Sequence, residues 1–199
     1  MNDPKVKVTK GDMRGRALLL VVAMSAAVLV VAAGAALAAS FTCSTNPCKG
    51  TGQNDQIMGT NDLEEIDALG GNDTVYGKGG GDRVYGGDGD DTALHGDANA
   101  NPALDGADKV YGGPGDDYIS GDGRSDLLSG GGDRDNIDAR EHLFNNNPTP
   151  GTDTVSGGRG NDKIGAVDGA VDRIDCGKGR RDFVTRDKGL DTVKNCELR

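Results

Sequence analysis

The chain has 199 residues, with 32 acidic against 22 basic side chains, a net charge of −10, 34 glycines and no tryptophan. Its acidity excludes a nucleic-acid partner, because a phosphate backbone would be repelled. Three phenylalanines and four tyrosines are too few for a bulky core, and the length suits one elongated domain rather than two globular ones.

Residues 1–16 carry Lys5, Lys7, Lys10, Arg14 and Arg16, and the uncharged run from Ala17 to Ala39 closes on Ala36-Leu37-Ala38. A basic region, an apolar region and small residues at a cleavage point predict a secretory signal peptide over 1–38, cut after Ala38. The run is also long enough to cross a bilayer, for which about 20 apolar residues suffice. An uncleaved anchor over 17–39, at the outer face of the membrane, is therefore the competing reading and the one that gives a membrane contact. Both place the remainder outside the cytoplasm. The leader holds five of the 22 basic and two of the 32 acidic residues, so the mature chain has 17 against 30, a net charge of −13.

Residues 39–49 are expected to form an N-terminal cap. Cys43 and Cys48 lie there, and Cys176 and Cys196 lie near the far end. An even number of cysteines in an exported chain suggests disulfides, and Cys43 to Cys48 with Cys176 to Cys196 is the simplest of three connectivities. Bridges at those places would close the two ends of a repeat array.

Over 50–165 one nine-residue pattern recurs. It stands complete at Gly86–Leu94 (GGDGDDTAL), Gly112–Ser120 (GGPGDDYIS) and Gly157–Gly165 (GGRGNDKIG). Weaker copies keep an acidic residue followed two positions later by an apolar one: Asp55/Ile57, Glu64/Ile66, Asp73/Val75, Asp82/Val84, Asp91/Ala93, Asp108/Val110, Asp117/Ile119, Asp126/Leu128, Asp135/Ile137, Asp153/Val155 and Asp162/Ile164. The phase continues at Asp172/Ile174, Asp182/Val184 and Asp191/Val193. Low hydrophobicity and high charge are also the signature of a disordered linker, but slippage of such a linker does not hold an apolar residue at one phase.

The two halves of the unit carry different chemistry. A tight loop that aims several carbonyls at one point needs positive φ, which glycine reaches without steric cost. Carbonyls plus a carboxylate are hard oxygen donors, suited to Ca²⁺ rather than to the tighter octahedron of Mg²⁺. No thiolate or imidazole occupies these positions, which disfavours zinc and copper. The candidate ligands are the carboxylates of Asp73, Asp82, Asp88, Asp91, Asp108, Asp117, Asp126, Asp135, Asp153 and Asp162. With them go the loop glycines Gly77, Gly79, Gly86, Gly89, Gly112, Gly115, Gly121, Gly123, Gly130, Gly132, Gly157 and Gly160. The other half is a three-residue strand whose alternation turns only the apolar residue to one face.

The pattern Gly-Gly-x-Gly-x-Asp-x-U-x, with U apolar, resembles that of the repeats-in-toxin (RTX), or haemolysin-type calcium-binding, family. The resemblance implies an all-β fold, a right-handed parallel β-roll (β-solenoid) in which two nonamers make one turn and several Ca²⁺ ions sit between stacked loops. It would pair Asp73 with Asp91, Glu64 with Asp82, and Asp117 with Asp135. Family members exported by the type I route usually lack cysteine and carry a C-terminal signal. This chain departs from both habits, so neither that route nor a toxin role carries over.

The repeat is interrupted near 95–105 and near 139–150, where successive acidic residues are separated by 17 and 18 positions. Each gap is close to two units, so each is either a degenerate coil or a loop thrown from one edge; Pro102, Pro148 and Pro150 favour loops. Such loops could be where a cell-surface or extracellular protein or glycan partner binds. Tyr76, Tyr85 and Tyr111 share the ninth position and are expected to stack across coils rather than form an exposed stripe. Residues 166–199 keep the phase with poor loops, and are expected to bind calcium weakly and to cap the end.

No catalytic constellation can be assembled. The two histidines, His95 and His142, sit one in each interruption, and neither a His-Glu-x-x-His motif nor a Gly-x-Ser-x-Gly elbow is present. The expectation is a secreted or cell-surface calcium-binding protein, non-enzymatic, a structural or adhesive module that folds on binding Ca²⁺. The alternatives are an accessory to a separate secreted enzyme and, at a distance, a hydrolase.

Overall fold

A lone apolar residue on a three-residue strand is buried only when many such strands stack on one another, and the chain achieves this by coiling. The computed structural model describes residues 39–98, 101, 103–140 and 151–197, all of them within the unit Val31–Arg199. The leader over 1–38 and most of the second interruption, with His142, lie outside the described residues.

The strands run β1 (Ser40–Thr42), β2 (Cys48–Lys49), β3 (Gln56–Met58), β4 (Glu65–Asp67), β5 (Thr74–Lys78), β6 (Arg83–Tyr85), β7 (Ala93–Asp97) and β8 (Lys109–Pro114). There follow β9 (Tyr118–Ser120), β10 (Leu127–Gly132), β11 (Asn136–Asp138), β12 (Thr154–Gly158), β13 (Lys163–Ala166), β14 (Arg173–Asp175), β15 (Phe183–Arg186) and β16 (Thr192–Lys194). Odd-numbered strands form one eight-stranded sheet and even-numbered strands the other, each strand pairing with the one two places on. All of the pairings are parallel. The expected parallel β-roll is the fold.

Register lines up the apolar phase. Ile57, Val75, Leu94, Ile119, Ile137 and Ile164 form the inner row of the first sheet. Ile66, Val84, Val110, Leu128, Val155 and Ile174 form that of the second. All twelve are buried, and full burial of one such side chain stabilises by about 1.5–3 kcal/mol. One coil alone would bury almost nothing.

One core position differs from expectation. Val75 faces Leu94 and Thr74 faces Ala93, so an additional residue lies between Asp91 and the inward position; Leu94 is fully buried and Ala93 is only half-buried. A methyl group would leave a void there that leucine fills. Leu94→Ala should therefore lower the unfolding free energy by about 2–4 kcal/mol, while Ala93→Ser should stay within about 0.5 kcal/mol. Denaturant unfolding in saturating calcium would measure both, and equal losses would contradict this register.

Neither interruption adds a coil. The backbone N–H of Asp82 donates to Oδ1 of Asp108 across 26 residues, and that of Asp126 to Oδ1 of Asp153 across 27, where an uninterrupted turn spans 18. Strand β8 stacks directly on β6, and β12 on β10. Both interruptions follow strands of the first sheet, β7 and β11.

The tyrosines are divided between the faces. Tyr85 and Tyr111 stack on the second sheet with ring centroids 5.2 Å apart, whereas Tyr76 stacks on His95 of the first sheet at 5.3 Å. Cross-coil stacking is thus the arrangement, in two separate rows. The disulfides join Cys43 to Cys48 and Cys176 to Cys196, with Cα atoms 5.5 and 5.1 Å apart.

Candidate metal centres

Most of the described loops between the sheets end on a buried acidic side chain: Asp73, Asp91, Asp117, Asp135, Asp162 and Asp182 along one edge, and Asp82, Asp108, Asp126, Asp153 and Asp172 along the other. Parallel stacking gives one carboxylate oxygen of each a fixed role. Oδ1 accepts the backbone N–H of the acidic residue one turn earlier, at 2.9 Å for Asp73 to Asp91, 2.8 Å for Glu64 to Asp82 and 3.0 Å for Asp117 to Asp135. The three predicted pairs are therefore stacked neighbours. The same bond continues from Asp91 to Asp117, Asp108 to Asp126, Asp135 to Asp162 and Asp153 to Asp172.

The second oxygen has no such role. Oδ2 of Asp73, Asp82, Asp91, Asp108, Asp117, Asp135, Asp162, Asp172 and Asp182 is buried without a hydrogen-bond partner. Burying a polar atom unpartnered costs about 1–3 kcal/mol, and more when it is charged. A whole row of such atoms calls for a cation.

The loops begin with a glycine for a reason visible in this row. A Cβ on Gly77, Gly86, Gly112, Gly121, Gly130 or Gly157 would collide with Oδ2 of the aspartate closing the same loop, Asp82, Asp91, Asp117, Asp126, Asp135 or Asp162. Ala68, Ala139, Ala166 and Cys176 stand at the corresponding position of four other loops and place a Cβ there. The loops that close on Asp55 and Glu64 also differ. Thr51 donates its N–H to Asp55 at 2.6 Å, and Thr60 donates both N–H and hydroxyl to Glu64, which leaves those carboxylates partnered.

Among the other candidates, Gly89, Gly115 and Gly160 take φ of 131°, 134° and 134°, which only glycine adopts freely. Gly79, Gly123 and Gly132 sit between the left-handed residues of their loops; that conformation falls on Lys78 and Gly80, on Asp122 and Arg124, and on Gly131 and Asp133. Asp88 is exposed, outside the buried row, and its carbonyl accepts the Gly71 N–H at 2.8 Å. One buried carboxylate, Asp97, is absent from the candidates because it falls outside the acidic phase of the repeat.

Loss of solvation pushes up the carboxyls of Asp73 and Asp162 and of eight others in the row, opposed by the bond from the backbone N–H and reinforced by repulsion from nearby carboxylates. Asp117 and Asp172 rise to about 6, Asp82, Asp91 and Asp153 to about 7, Asp108 and Asp135 to about 8 and Asp126 to about 10. Among the described residues no three His, Cys, Asp or Glu side chains converge on a point. A cation would thus be held by carboxylates of stacked loops together with backbone oxygens, a hard donor set that fits Ca²⁺.

The family model described as "RTX calcium-binding nonapeptide repeat (4 copies)" matches residues 49–82, 58–93, 103–123, 111–141 and 149–164, which together span half of the chain. No curated protein and no solved structure matches the chain.

Proposed function

This chain belongs to the RTX calcium-binding nonapeptide repeat family, and we propose that it is an exported structural module whose roll folds when Ca²⁺ enters the stacked loops. The observation that carries this reading is the row of buried Oδ2 atoms with no partner, most of them over a loop that opens on a glycine. The residues that would hold the ions are Asp91, Asp117, Asp135 and Asp162 on one edge and Asp82, Asp108 and Asp126 on the other. A bound divalent ion supplies the positive charge that these oxygens lack, and the chain's own contribution is to hold them in register.

Loops that open on Ala166 and Cys176 are assigned to capping, since a side chain crowds the place that glycine leaves free. In this reading residues 39–49 and 166–199 are the two caps, closed by the disulfides. Calcium repeats and disulfides are typical of proteins outside the cytoplasm, and the basic-then-apolar leader supports export. His95 stacks on Tyr76, packs tilted against Tyr118 and bonds to Asp122 at 2.9 Å, which supports a structural role for it. The module's use would be mechanical, a surface made rigid by calcium.

The test is a calcium titration followed by far-UV circular dichroism, with magnesium as control. A cooperative change from coil to β signal in calcium alone is the expected result. A chain equally folded in chelator at pH 7 would overturn the coupling.

A further inference from the structure

We propose that Asp97 and Asp108 together hold a cation at the first interruption, Asp97 joining the in-phase Asp108 from outside the regular phase of the repeat. The proposal rests on reading the roll as a calcium module, and it assigns a ligand that the nonamer does not contain.

Asp97 ends β7, as the second residue of the loop that opens on Gly96. Equivalent positions in other loops carry Lys78, Asp122 and Arg140, so the repeat fixes no one charge there. Its side chain is nevertheless 2% exposed. Oδ2 accepts the N–H of Gly106 at 2.9 Å, and its own N–H donates to the carbonyl of Gly121 at 3.3 Å. Oδ1 is buried and unpartnered.

The interruption brings the loop's own closing aspartate to the same place. Asp108 packs over Gly96, the residue before Asp97, so closely that a Cβ on Gly96 would meet Oδ2, Cβ and Cγ of Asp108. Oδ2 of Asp108 is itself buried and unpartnered. Gly96 thus stands between two carboxylates that each carry an orphaned oxygen, Asp97 as its chain neighbour and Asp108 packed over it. Burial raises the Asp97 carboxyl most, and Asp108 is the charged neighbour that adds most to it, with Asp105 and Asp122 contributing.

The added residues have a physical role in this arrangement. Gly106 is seated against the carbonyl of Gly80 with no room for a side chain, and from there its N–H fixes the Asp97 carboxylate. The interruption returns on itself to clamp a ligand. Calcium is the expected ion, because all of the donors are oxygen.

Calcium alone is the probe. Bound ions per chain are counted by equilibrium dialysis for the wild type, Asp97→Asn and Asp97→Ser, with Asp117→Asn as a regular-site control. The amide of Asp97→Asn can still accept from Gly106 but has lost the charge, and Asp97→Ser removes the carboxylate altogether. Each Asp97 variant should bind one ion fewer than wild type, keep the wild-type far-UV spectrum in saturating calcium and need more calcium to reach it. An unchanged ion count in either folded Asp97 variant, beside a loss in Asp117→Asn, would overturn this site and leave the calcium roll standing. No loss in any variant would overturn both.

Discussion

In chelator at pH 7 the roll should lose its β signal, and acidification towards pH 4 should restore it. The metal-free fold buries carboxyls that are pushed up from an ordinary value of 3.8 to between about 6 and about 10. Between those limits the folded state binds more protons than the unfolded chain, so stability falls as pH rises from about 4 through the folded values. Each tenfold gain in a carboxyl's proton affinity on folding corresponds to about 1.4 kcal/mol, large beside the roughly 5–15 kcal/mol that holds an ordinary domain together. Protons at low pH and calcium at neutral pH neutralise the same oxygens. In saturating calcium this dependence should largely vanish, since the ion then occupies the oxygens that would otherwise take protons, and the calcium concentration at half-folding should fall as pH falls towards 4. Spectra from pH 4 to 8 in chelator and in calcium would decide the matter. A chelated chain that grows more stable towards pH 8 would refute the role given to the buried row.

Gly130→Ala should be among the most damaging single-methyl changes in the chain. The added Cβ would meet Oδ2 of Asp135 and the carbonyl of Gly157 in the next coil, and a backbone oxygen inside a parallel stack has little freedom to move. Overpacking of this kind costs about 1–3 kcal/mol. Disturbing one site with Kd ~0.1 mM in ~1 mM calcium costs about 1.4 kcal/mol more. Gly52→Ala supplies the comparison, because a Cβ there meets nothing within 4 Å; its effect should stay within about 0.5 kcal/mol. Urea unfolding in calcium would show the difference, and equal midpoints would mean that the loop relaxes around the methyl group.

The regular part of the roll was legible because its two signals share one period. An apolar residue such as Val75 or Ile119 must point inward at fixed phase, and an acidic residue two positions earlier must then fall on the loop. Where the chain adds residues the period stops informing. Ala93 is apolar at the expected phase and masks the slip that brings Leu94 inside. Gaps of 17 and 18 residues are nearly two units long, so counting alone does not distinguish a coil from a bulge; the bonds from Asp82 to Asp108 and from Asp126 to Asp153 do. Asp97 was illegible for a related reason. Its burial depends on Gly106, nine residues ahead and folded back by an insertion that has no period.

The pairing of each strand only with those two places away has a consequence for how damage spreads. A coil at an end that no disulfide ties to its neighbour, such as that of β1 and β2, can detach and leave the coils behind it intact, like the last rung of a ladder. A coil in the middle, such as that of β9 and β10, cannot fail alone. Once it opens, the coils on either side lose their contact with each other, and two short fragments remain, each with a raw hydrophobic end and fewer sites to share the load. The same lesion should therefore be mild at such an end and severe at the centre, and a pull on the two ends should extend the chain in steps of one turn.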